Sequence, residues 1–170
     1  MAAAGAEAVR RLLPCAAFAF FGVVYREILM DIHDMDGDLA EGVVTVPALC
    51  GRGGALCAAL ASLGAGTAAA LALLYAGASA ASSSSGRVLL FELPSATATA
   101  LGVFTAPVLE LLAVLPALTL LALAGQCAAL ALAAARSGFE PENVDACVMA
   151  CLKPMGLGIM LLAAVAAFGA

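Results

Sequence analysis

The chain has 170 residues, of which 65% are hydrophobic and only 11% charged, and its mean hydropathy is +1.11. Roughly a quarter of the residues in soluble domains are charged, so these values exclude a water-soluble globule and point to an all-helical, multi-span transmembrane bundle with room for about four spans of about 20 residues. The net charge of −5 is local, because Asp31, Asp34, Asp36, Asp38 and Glu41 are five of the twelve acids. No basic patch is present to neutralise phosphates, which excludes nucleic acid as a partner and leaves membrane lipid as the expected surrounding.

The first span reads from Leu12 to Met30, apolar through Val24 and then carrying Arg26 and Glu27. Such charges are costly in lipid unless paired or turned to a polar cavity. An acidic loop follows, then Val43 to Pro47 and a Gly-rich stretch at 51–54. The second span, about Ala55 to Ala78, is rich in Ala and Gly, which lets helices approach closely in a bilayer. Ser79 to Gly86 reads as a flexible polar connection, since a Ser tract has no apolar face to bury. From Ser95 to Ala135 the chain is too long for one straight span and contains Pro107, Glu110 and Pro116. The pattern predicts an interfacial piece up to Ala106 and a kinked third span from Val108 to Ala135.

Arg136 to Asp145 is a polar loop, and the fourth span starts near Lys153 and Pro154, with Val144 as an earlier amphipathic start. The whole of 1–170 is one membrane domain, multi-pass and integral. Four spans place the acidic segment and the Arg136 to Lys153 loop on one side, with both termini and the Ser tract on the other. Arg10, Arg11 and Arg87 balance Arg52, Arg136 and Lys153, so the positive-inside rule gives no orientation. Met1 to Arg11 is too short and weakly patterned for a signal or transit peptide. The six cysteines lie mostly in apolar stretches without a CxxC and read as packing thiols. Cys147 and Cys151 are one turn apart, but a zinc site wants four ligands and the single histidine, His33, is remote.

The chemically distinctive string is Tyr25 to Asp38. At 100° per residue, Glu27, Asp31, Asp34 and Asp38 fall within an arc of roughly 60° if the helix extends that far. Like charges at these spacings repel, so the arrangement suits a cation among them. One or two carboxylates plus phosphate oxygens is the set that suits Mg²⁺. Spacing alone fits a solvated acidic segment equally well. An EF-hand fails, because Leu39 and Thr45 occupy the positions that need Gly and Glu. Gly37 is expected to loosen the helix and leave Asp38 on a turn. Asp36 lies off the shared face, and so does His33, read as solvated. Tyr25 and Tyr75 read as packing or interfacial residues, and Glu110 is a functional candidate as an intramembrane acid.

Arg26-Glu27, Asp31-Ile32, Asp34, Gly37-Asp38, Gly42, Thr45 and Pro47 together resemble the REhxxDIxDxxGDxxxGxxTLP segment (h apolar) of the UbiA superfamily of intramembrane prenyltransferases, with Val46 where Leu is usual. Leu152 to Gly156, before a terminal apolar run, is similar to the start of the last helix in some members. The resemblance implies the C-terminal part of such a bundle, with Mg²⁺ held by Asp34, Asp38 and Asp31. It implies a prenyl diphosphate ionised there and a lipophilic acceptor that captures the carbocation. Asp31 is the candidate base, and Glu27 and Arg26 are candidates for orienting a ligand or the acceptor. Lys153 is a candidate for the diphosphate, although a snorkelling helix-end cation needs no such role.

The family pattern also requires a first motif of the NDxxDxxxD kind on an earlier helix. This sequence has one acidic cluster, so a fragment of a longer enzyme or a truncated relative inactive alone is expected. The Arg-Glu-x-x-x-Asp-Ile pattern resembles archaeal prenylglycerol-phosphate transferases and plastid homogentisate-type enzymes alike. A non-catalytic membrane scaffold or assembly subunit and a cation-transport segment are the alternative functions.

Overall fold

A computed structural model describes the backbone of residues 2–85 and 95–168 and the side chains of residues 5–6, 8–76 and 114–167. Four helices follow in order: α1 (Ala2–Glu41), α2 (Val46–Ser85), α3 (Ser95–Arg136) and α4 (Pro141–Phe168). Each contains a stretch long and apolar enough to cross a membrane: Ala8–Glu41, Val46–Ala76, Val114–Arg136 and Pro141–Ala167. The all-helical, four-span reading holds.

Helix boundaries depart from the sequence reading in one direction, towards longer helices. In lipid the backbone must satisfy its own polar groups, so breakers that end helices in water are carried through here. α1 continues past Gly37 to Glu41, so the acids expected on a loop, Asp38 included, are helical. α3 is continuous from Ser95, without the separate interfacial piece expected up to Ala106. The side chains of Pro107 and Glu110 lie outside the described residues. α4 starts at Pro141 rather than at Val144 or Lys153 and runs through Pro154. The tract expected as a flexible connection is helical as far as Ser85; Gly86 lies outside the described residues.

Two turns at the same end use one device. Gly42 (φ 74°) ends α1 and Gly138 (φ 80°) follows α3. Val43 N donates to Asp38 O (2.8 Å) and Phe139 N to Ala134 O (3.1 Å), the six-to-one bond of a Schellman cap, which favours Gly at the left-handed position. α4 then opens with Pro141 at its first position, where the missing N–H costs nothing, and Asn143 Nδ2 donates to Glu140 Oε2 at 2.9 Å.

α1 packs against both α2 and α4. Its buried positions Phe18, Tyr25, Ile28, Leu29 and Ile32 follow helical spacing on one face. Against α2, Ser62 Oγ donates to Phe21 O at 3.0 Å, and a Cβ on Gly66 would stand 2.5 Å from Phe21 Cβ. Against α4, a Cβ on Gly158 would meet Phe18 Cε1 at 2.6 Å. Cys15 Sγ reaches Ile159 O at 3.7 Å and Tyr25 Oη lies 3.4 Å from Cys151 Sγ, so α1 and α4 run antiparallel. The turns 42–45 and 137–140 are therefore at one end, the side the sequence assigned to both.

Candidate functional site

Above Ile32 the last turns of α1 lose their buried apolar face and bear acids instead. The unbroken helix aligns Glu27, Asp31, Asp34 and Asp38, whose stripe lies roughly 140° around the helix from the buried Tyr25, Ile28, Leu29 and Ile32. The stripe thus faces away from the four-helix core. Glu27 and Asp34 are exposed, while Asp31 and Asp38 are partly covered.

Three ion pairs lie on these turns of α1, two of them with members of the stripe. Arg26 Nη1 donates to Glu27 Oε1 at 2.6 Å, so the two residues between which the sequence left an internal pair open do pair. His33 Nδ1 lies 2.6 Å from Asp34 Oδ1, reaching across from its position off the stripe. Arg52 Nη2 donates to Asp36 Oδ2 at 2.8 Å, joining α1 to α2 on the side opposite the stripe. Asp31 and Asp38 have no ion pair among the described residues. Lys153 is exposed on α4. It stands about 200° around that helix from buried Cys151, and no hydrogen bond or ion pair among the described residues joins it to the stripe.

Among the described residues no three His, Cys, Asp or Glu side chains gather around one point, so a closed protein cage for a metal is absent there. Mg²⁺ is instead commonly held by one or two carboxylates, with waters and phosphate oxygens completing the octahedron. Asp34 and Asp38, one turn apart on an open face, fit that shared mode.

Sequence reasoning passed over Arg52 and the covered hydroxyl of Thr45. Arg52 Nε and Thr45 Oγ1 are both sealed from solvent without a hydrogen-bond partner. The available signal was a lone Arg placed after Gly51, across the turn from Asp36. Gly51 has φ 73° and ψ 166°, a break that separates the first turn of α2 from the rest.

Below the stripe the interior is closely packed. Tyr25 is fully buried and its hydroxyl donates to Cys127 O at 2.8 Å. Cys147 and Cys151, whose sulfurs are 4.0 Å apart, pack beside it with Cys127 in the main hydrophobic cluster. These are packing residues, as the sequence indicated. Tyr75, by contrast, is exposed. An apolar groove of about 480 Å³ runs between α2 and α3, lined by Leu63, Gly64, Thr67, Leu71, Leu121 and Gly125 among others. Its Thr67 hydroxyl is spent on Leu63 O at 2.8 Å.

The chain is similar to digeranylgeranylglyceryl phosphate synthase of Methanoculleus marisnigri, with 44% identity over 48 residues. That stretch is 28% of this chain and 17% of the relative, so it covers far less than two thirds of the relative's length. No family model matches the chain, and no solved structure matches it.

Proposed function

We propose that this chain carries the second aspartate-rich half of an intramembrane prenyltransferase site of the UbiA type. The observation that carries the reading is the alignment of Glu27, Asp31, Asp34 and Asp38 on one open face at the end of an apolar helix. The 48-residue similarity to a prenyl-lipid synthase supports the same class. Asp34 and Asp38 are the proposed metal ligands, with Asp31 as base; as a third ligand Asp31 would have to turn towards them, since no three such side chains meet at one point among the described residues. Bound Mg²⁺ would neutralise charge developing on a departing diphosphate.

The remaining work falls to this chain's own residues. Glu27, paired with Arg26, is placed one turn below Asp31 to orient a ligand or the acceptor. The apolar wall beneath the stripe excludes water, which would otherwise quench an allylic cation. The acceptor is a lipophilic molecule. Because the stripe faces away from this bundle, ligands from outside these four helices complete the proposed site, and the chain on its own should turn over little or no prenyl diphosphate.

A scaffold without catalysis also accommodates an acid stripe that nothing in the bundle faces. A cation-transport segment is less well supported, because the bundle interior beneath the acids is filled by Tyr25 and the cysteines. The test is equilibrium binding of a radiolabelled prenyl diphosphate to the chain in lipid nanodiscs. Saturable binding that needs Mg²⁺ and is abolished by EDTA is expected. Binding indifferent to Mg²⁺, or none above that of empty nanodiscs, would leave the scaffold reading in its place.

A further inference from the structure

The last turns of α1 should be weaker than its packed middle. Asp34, Asp38 and Glu41 crowd a helix C-terminus, whose dipole disfavours negative charge, and the i, i+4 acids repel each other. Past Ile32 no fully buried side chain remains in α1 to hold these turns down. The structure supplies two restraints: the Gly42 cap, and the Arg52 to Asp36 bond of 2.8 Å that crosses from α2 to α1.

Arg52 is not an ordinary surface cation. Its side chain is 33% exposed against 81% for Asp36, and its Nε is fully covered and unpartnered. A guanidinium that gives up hydration at Nε and makes its bond only at the Nη end is fixed in direction. The break at Gly51 sets the backbone from which it reaches back to α1.

We propose that Arg52 is a positioning residue: through Asp36 it braces the terminal turns of α1, so that Asp31, Asp34 and Asp38 keep the helical register in which they share a face. The positioning role rests on the prenyltransferase reading; the brace itself does not, and the two separate by experiment. Removing Arg52 makes the region more negative. If Arg52 acted only through its charge, its loss would tighten divalent-cation binding; as a brace, its loss weakens binding.

The experiment compares wild type, Arg52→Gln, Asp36→Asn and the exchanged pair Asp36→Arg/Arg52→Asp, each as the full chain in non-ionic detergent. The first readout is amide hydrogen exchange over residues 34–41. Each single variant should exchange about three- to fivefold faster there, the scale set by a partly exposed ion pair, and the exchanged pair should recover towards wild type. Unchanged exchange in Arg52→Gln overturns the brace. The second readout is Mn²⁺ binding followed by the loss of its free electron-resonance signal. Arg52→Gln should bind roughly threefold more weakly or worse, with recovery in the exchanged pair. Tighter binding in Arg52→Gln contradicts the positioning role. Absence of Mn²⁺ binding in wild type refutes the metal reading together with the positioning role, while the brace is decided by exchange alone.

Discussion

The two halves of α1 are built on opposite terms. Between Phe18 and Ile32 the helix is clamped: Gly66 and Gly158 bring α2 and α4 against Phe21 and Phe18, and Tyr25 ties α1 to the backbone of α3. Between Asp34 and Glu41 it carries acids that repel each other and a C-terminal dipole of the wrong sign for them. The lower half is selected for packing. The upper half holds a charge arrangement that works against its own stability.

Substitutions sharpen this contrast. Tyr25→Ala should destabilise most, by about 3–5 kcal/mol, the cost of deleting a large buried aromatic, read as a lowered unfolding temperature in detergent. Gly66→Val should cost about 1–3 kcal/mol through overpacking, since the obstructing atom is Phe21 Cβ, close to the backbone and unable to move away. Tyr25→Phe should cost about 1 kcal/mol, the worth of one buried hydrogen bond. Gly22→Ala should fall well below Gly66→Val, because its Cβ would meet only the mobile Met155 Cε at 2.8 Å. Asp34→Asn and Asp38→Asn should leave the stability unchanged or raise it by a few tenths of a kcal/mol, as like-charge repulsion on the helix is relieved. Clear destabilisation by either Asn substitution would break the contrast and make the acids structural.

Span number and class were legible from hydropathy, because about 20 apolar residues have few alternatives to a membrane helix. The turns were legible as places but not as boundaries. Gly37 and Pro154 weigh against helix in water, yet both lie within helices here: at Pro154 lipid offers the backbone no other partner, and at Gly37 the cost against Ala is only about 1 kcal/mol. The acid stripe was legible once the helix was assumed to continue, and its continuation to Glu41 supplies the condition. Its outward direction was not, because the buried face of α1 depends on which helices flank it. Arg52 was invisible as a functional residue for the same reason: its partner Asp36 lies across a turn. Lys153, suggested by its place near a span end, is not joined to the stripe by any bond among the described residues.

The most direct test of the claim that Asp34 and Asp38 hold a metal-bound diphosphate is prenyl-transfer turnover of Asp34→Asn, Asp38→Asn and Asp36→Asn. Under the proposed function it is to be measured with the chain in the assembly that supplies the ligands from outside its four helices, at saturating Mg²⁺ and prenyl diphosphate, after insertion and folding of each variant are verified. Asn keeps the shape of Asp and removes the charge, so Asp34→Asn and Asp38→Asn should each lower turnover at least about 100-fold, the lower range for losing one strong electrostatic contact to a transition state. Asp36→Asn, on the opposite side of the helix and bonded to Arg52, should be much milder. Equal losses at all three positions would contradict the shared-face account and return the acids to a solvated surface, and a severe loss at Asp36 alone would place the site on the other face of α1.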